Sequence, residues 1–224
     1  MNETDGSLNP QTAARLIERQ TAETRTQLDY PDNLMYLVWG VAFSLGYLPL
    51  ALSQSREDPL VDIPLGPTLG FFAACIIGGI VASIWITSRY IDGIRGTSAR
   101  QGQRYGFSWW IAFMGVAALS IRLGRLDLPA DQASTIGVTI NGVSMVLVGV
   151  QFMAGGGIWD DRTQYVVGAV IASVSALAMA VGLPWYYWIQ FAIGIGLLTL
   201  GVAETLRARR RPSRPAGLPA REPA

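Results

Sequence analysis

The chain has 224 residues, half of them apolar and 15% charged, with a formal charge of +1 and a mean hydropathy of +0.32. Those figures exclude a disordered chain and a strongly basic nucleic-acid binder, and a single cysteine excludes a disulfide scaffold. What decides the class is how unevenly the charges fall, because long stretches carry none.

Residues 1–33 are polar, with six acids and three arginines. They do not read as a secretory signal peptide, which would begin basic and continue apolar. Asn9 before Pro10 reads as a helix start, and Ala13, Leu16, Ile17, Gln20, Thr24 and Leu28 recur at helical spacing. The stripe is weakly apolar and suits an amphipathic helix on the cytoplasmic face of a membrane or against a partner.

Runs free of charged side chains extend over Asn33 to Ser55, Ile63 to Ser88, Tyr105 to Ile121, Gln132 to Trp159 and Thr163 to Ala203. A hydrocarbon core of ~30 Å takes about 20 helical residues. The first four runs therefore hold one span each, and the last, with Gly182, Leu183 and Pro184 at its middle, holds two. Continuous apolar character without period-two alternation makes these helices and not barrel strands. The predicted fold is all-α, a polytopic bundle of residues 34–204 with spans at 34–53, 67–88, 106–123, 134–153, 164–182 and 185–204. In the third span Arg122 is expected to snorkel outward, with burial against a cavity as the alternative.

Residues 205–224 are rich in Arg and Pro and are predicted to form a disordered tail. Arg207, Arg209, Arg210, Arg211 and Arg214 sit directly beyond the last span, where they act as a stop-transfer anchor or dock an anionic lipid or a protein partner. All 17 basic residues are arginine; fourteen lie on the side of the termini and three, Arg56, Arg122 and Arg125, on the other. The positive-inside rule then places both termini in the cytoplasm.

Small residues inside the spans are packing signals. Gly168, Ala172, Ala176 and Ala180 repeat every four residues in the fifth span, and the same spacing occurs in Gly40 and Ser44, Ala74 and Gly78, and Ala192 and Gly196. The neighbour is another span of the chain or a second copy. Polar side chains are few, and buried amides need partners, so Asn141 and Gln190 are expected to bond across helices. The functional alternative is a substrate path lined by Asn141, Ser144 and Gln190. Trp185, Tyr186, Tyr187 and Trp188 crowd one turn at the depth where amphipathic rings anchor.

With no His and only Cys75, the chain lacks the ligands for zinc, haem or iron–sulfur sites and the pairs used in nucleophilic catalysis. No Asp or Glu lies securely inside a span, so the carboxylate relay of proton-driven transport is missing as well. Neither a metal nor a cofactor is expected, and Asp160 and Asp161 read as a solvated helix end. Glu204 has Arg207 as an ordinary partner three residues on.

The polar segment ARLIERQ, followed by YPDNLMYLVWGVAFSLGYLPL opening the first span, resembles a group of small, uncharacterised six-helix integral membrane proteins of high-GC bacteria. The resemblance rests on the WG-containing segment Tyr36 to Gly46 and implies the architecture and a place in the bacterial plasma (inner) membrane. It carries no catalytic residue. Two classes of function remain: a non-enzymatic subunit or regulator acting through cytoplasmic partners, or a small transporter or permease-like subunit with a path between spans four and six. An enzyme ranks third, because the clustered acids and arginines are confined to the loops and ends.

Overall fold

The computed structural model describes residues 32–54, 59–91 and 97–210, together with Ala14. Among these are six helices: α1 (Asp32–Gln54), α2 (Leu65–Ile91), α3 (Thr97–Leu123), α4 (Ala130–Trp159), α5 (Arg162–Val181) and α6 (Tyr186–Arg210). All six are long and apolar enough to cross a membrane. The predicted N-terminal helix lies outside the described residues apart from Ala14, which is helical and exposed.

Three helices outrun their predicted spans by six residues or more at one end: α4 runs over Ala130–Trp159 against a predicted 134–153, and α3 and α6 extend into charged sequence. Helix α3 begins at Thr97 and carries Arg100 and Arg104, since arginine continues a helix as readily as an apolar residue does. Helix α6 runs on to Arg210, so 205–210, assigned above to the tail, is helical. Good helix formers fill that stretch and the next proline comes only at 212. Arg207, Arg209 and Arg210 are exposed on its last turn, whereas Arg211 and Arg214 lie outside the described residues. Arg122, in the last turn of α3, is exposed and not buried against a cavity of the chain.

The helix ends follow local chemistry. Asp161 is the N-cap of α5, its carboxylate accepting from the backbone N–H of Thr163 at 2.8 Å and of Gln164 at 3.1 Å. Asp160, at a φ of 55°, closes α4 in the left-handed region. At the other end of α5, Gly182 has a φ of 70°, which a side chain would resist, and it turns the chain into α6.

In space the order is α2, α1, α6, α5, α4, α3. The most extensive contacts are α1 with α6 and α4 with α5; α2 lies on α1, α3 lies on α4, and a smaller α5–α6 contact joins the two sets of three. Both tight pairs are antiparallel seams with a glycine on one helix at each of their closest points. Along α1 and α6 the facing residues are Asn33 with Thr205, Leu37 with Gly201, Gly40 with Leu198 and Ser44 with Gly194. Each step along one helix is matched by an equal step back along the other. A Cβ at Gly40 would lie 2.6 Å from the Leu198 backbone N, and one at Gly194 would lie 2.6 Å from that of Ser44. In α4, Gly142, Gly149 and Gly156 recur at two-turn spacing and face Met179, Ala172 and Tyr165 of α5; a Cβ at Gly149 would meet the Ala172 N at 2.5 Å.

The packing faces correct part of the expected pattern. Gly168 and Ala172 are at the α4–α5 seam, but Ala176 and Ala180 are exposed, and Ser175 and Ala178 are buried instead. A four-residue repeat advances about 40° around the helix at each step, so three steps carry it off the face. Ala192 and Gly196 are likewise exposed while Gly194 and Gly201 face α1, and Ala74 and Gly78 are exposed while Gly79 approaches Ala42 and Trp39. Gly40 and Ser44 do lie at a seam.

The apolar core is built where the four inner helices meet, from Tyr36, Phe43, Tyr47 and Leu50 of α1, Met145 and Val148 of α4, Ile171 of α5 and Leu197 of α6. Half of the apolar window of α1 is buried, and none of that of α3 is.

Candidate functional site

Polar groups from three helices meet in the core. Asn141 on α4 presents its Oδ1 to two phenols: Tyr47 of α1 donates at 2.8 Å and Tyr186 of α6 at 2.6 Å. One amide oxygen thus ties three helices together, including the two tight pairs to each other. Tyr47 is 1% exposed and Tyr186 not at all. Tyr47 also packs on Phe72 of α2, ring centroids 4.9 Å apart.

One turn along α6 from Tyr186 lies Gln190, fully buried. Its Oε1 accepts from Ser175 of α5 at 3.3 Å, the third polar bond between the two sets of helices. Its side chain is near enough to the Tyr186 hydroxyl to interact with it, yet Nε2 has no hydrogen-bond partner. Across the seam, Ser44 Oγ is buried and unpartnered as well.

Of the path residues expected from the sequence, Asn141 and Gln190 both bond across helices and lie on either side of Tyr186. Ser144 is half-buried one turn from Asn141, but its hydroxyl donates to the Ile140 carbonyl of its own helix at 2.7 Å. Tyr47, Ser175 and Tyr186 complete the cluster and were not singled out as its members. The signal for Tyr47 was its position in the interior of an uncharged run, where a phenol needs an acceptor. Tyr186 was masked by its neighbours: it points inward while Trp185 is 60% exposed, so the aromatic crowd divides.

The opposite end of the bundle is fastened within each set of helices. Asn33 Nδ2 donates to Thr205 Oγ1 at 3.0 Å, and Thr205 donates to the Gly201 carbonyl. On the other side, Tyr105 donates to the Gln151 carbonyl at 2.8 Å and Gln151 Nε2 donates to Ser108 Oγ at 3.0 Å, which holds α3 on α4. Trp109 stacks on Phe113 and meets Phe152 edge-on. Arg207 and Glu204 form an ion pair at 2.6 Å, with Arg207 well exposed.

Chemically, the cluster offers amides and phenols and no charge. Amides do not titrate and phenols ordinarily ionise only at about pH 10, so the groups present bind and orient through hydrogen bonds and do not supply an acid–base pair working near neutrality. Among the described residues, no three His, Cys, Asp or Glu side chains come together as a metal-binding group.

What the fold and the cluster define is a class: a helical protein with, among its described residues, six helices long and apolar enough to cross a membrane and an uncharged polar centre. No family model matches the chain, and no curated protein or solved structure matches it.

Proposed function

We propose that the protein is a multi-pass protein of the bacterial inner membrane, with both termini in the cytoplasm, acting as a non-enzymatic subunit or regulator through partners. The observation that carries this reading is the placement of α2 and α3. Each packs on a single inner helix, and their outer faces carry Leu69, Ile77, Val81 and Ile84 on α2 and Phe107, Trp110, Ile111 and Met114 on α3, all exposed in the isolated chain. Such faces meet lipid or another membrane protein, while the uneven distribution of arginine supports the orientation. The Arg-bearing end of α6 suits anionic headgroups or an acidic partner segment.

The test is purification of the intact protein in mild detergent beside a version lacking residues 1–30 and 207–224, with reporter fusions at each terminus. A second protein in fixed stoichiometry that leaves with the truncated ends supports the reading. A lone species in both preparations counts against it, and periplasmic reporter activity at either terminus overturns the orientation.

A second reading, a small transporter with its path between α4 and α6, is favoured by the Asn141–Tyr186 bond, which bridges those two helices at the polar centre. Opening there would expose Asn141, Ser144 and Gln190. Unchanged glycerol permeation in proteoliposomes carrying an Asn141→Ala, Gln190→Ala double variant, where the parent conducts glycerol, removes Asn141 and Gln190 from the path.

A further inference from the structure

The arginines on the side of the termini differ in what they meet. Arg207, at the end of α6, is engaged by Glu204 at 2.6 Å. Arg89 near the end of α2, and Arg100 and Arg104 near the start of α3, are exposed, and among the described residues none of the three has an ion pair. Arg89 lies instead over the ring of Trp85, one turn back on its own helix, with its guanidinium carbon 4.0 Å from the ring centroid. Trp85 is 55% exposed and continues the apolar outer face of Ile77, Val81 and Ile84. Towards the same end, α3 passes from the exposed rings of Trp110 and Phe107 to Arg104 and then Arg100. Residues 92–96 alone join the two helices, so Ile91 and Thr97 are at most about 22 Å apart. From Arg89 to Arg104 the sequence holds four arginines and one acid, Asp92, and the first turn of α3 has no acid.

A guanidinium stacked on a ring uses its face and keeps its edge, where the N–H donors match the oxygens of a phosphate two at a time. The stack also holds the side chain at the step where the apolar face of α2 gives way to charge, so little orientation is left to be lost on binding. The ligand that suits this step is an anion, because the rim around it is rich in arginine and poor in acid. It carries hydrocarbon as well, because Trp85, Ile84 and Val81 stand exposed directly beside the cation. A free anion would gain nothing from that apolar surface. The phosphodiester of an anionic glycerophospholipid, with its chains attached, uses both.

We propose that the Arg89–Trp85 pair at the end of α2 is a binding site for the phosphate of an anionic phospholipid whose chains run along the exposed face of the helix. Arg100 and Arg104 add positive charge to the same rim without having to touch the same molecule. The site rests on the reading of α2 and α3 as membrane spans. Full-length protein in mild detergent, titrated with dioleoyl phosphatidylglycerol or dioleoyl phosphatidylcholine and weighed with its bound lipid by native mass spectrometry, provides the test.

The expected result is a preference for phosphatidylglycerol that falls about fivefold in Arg89→Gln. It falls about twofold in Trp85→Leu, where the cation is no longer held on a ring. The Arg100→Gln, Arg104→Gln double variant loses less than Arg89→Gln alone, and Arg122→Gln with Arg125→Gln, at the other end of the bundle, loses nothing. Equal binding of the two lipids by the parent overturns the proposal, as does a preference that survives Arg89→Gln or falls as far with Arg122 and Arg125. Competition by glycerophosphoglycerol, the same headgroup without chains, at the concentration of the lipid overturns the assignment to a lipid. Carbonate-resistant flotation with phosphatidylcholine vesicles tests the spans separately: protein that floats yet prefers neither lipid keeps the spans and loses the site.

Discussion

Helices α1 and α3 are both long and apolar enough to cross a membrane, yet half of the apolar window of one is buried and none of the other's. The difference lies in what each offers a neighbour. Helix α1 brings Gly40 and Ser44 against the α6 backbone and Tyr36, Phe43, Tyr47 and Leu50 into the core. Helix α3 has Gly102, Gly106 and Gly115 with nothing near them, and it holds to α4 chiefly through Tyr105, Ser108 and a stack of rings. Apolar composition decides whether a helix can enter a membrane; backbone approach and hydrogen bonds decide where it stands among the others.

The sharpest way to break that comparison is to place bulk at a seam and at the rim. Gly149→Leu forces a Cβ into backbone at 2.5 Å and is expected to cost about 3 kcal/mol. Gly115→Leu, with open space around it on α3, is expected to stay within about 0.5 kcal/mol. Unfolding of the purified proteins by graded sodium dodecyl sulfate, followed by tryptophan fluorescence, reads both; equal losses would remove the distinction between inner and outer helices.

Next in size is the Asn141 node. Asn141→Leu strands the Tyr47 and Tyr186 hydroxyls and is expected to cost about 2 kcal/mol, while Tyr47→Phe and Tyr186→Phe each cost about 1 kcal/mol. In a background carrying both Phe substitutions, Asn141→Leu should cost far less than in the parent, since the groups it would strand are gone. Additive losses across that cycle would mean that the two hydroxyl bonds do not join the helices.

A smaller effect, about 0.6 kcal/mol, is expected for Ser108→Ala, which removes a side-chain bond holding α3 on α4. It should appear as faster chemical labelling of a cysteine placed at Phe113 in a Cys75→Ala background, with little change at a cysteine placed at Leu50. The smallest is Arg207→Gln: the exposed pair with Glu204 is expected to contribute under about 0.5 kcal/mol, and less in high salt.

The six long helices were legible because charge-free runs of about 20 residues or more are what a helix able to cross a membrane requires. The cross-helix bonding of Asn141 and Gln190 was legible for a related reason, since an amide in that setting must find a partner. Which small residues face a neighbour was not. Helix α6 carries Ala192, Gly194, Gly196 and Gly201 on different faces, and spacing alone favoured the exposed pair. In a soluble protein the polar face would have settled the rotation; here both faces of each helix are apolar, so the usual clue is absent. Asp161 shows the reverse case. Followed by Arg162, Thr163 and Gln164, it carried a helix-start signature that its acidic neighbour Asp160 obscured.

The bond from Asn33 to Thr205 spans 172 positions of sequence and joins the first described helix to the last. During biosynthesis, α1 is made long before the surface it fits. At translation rates of about 5–20 residues per second, it waits roughly 10–35 s for α6, with Gly40 and Ser44 uncovered, while the hairpin of α4 and α5 closes as soon as it is complete. Among the six described helices the order of synthesis is therefore the reverse of the order of seating: the helix that ends at the centre is made first and seated last. A nascent chain stopped before α6 leaves the inner face of α1 open, so the arrival of α6 is the step that closes it.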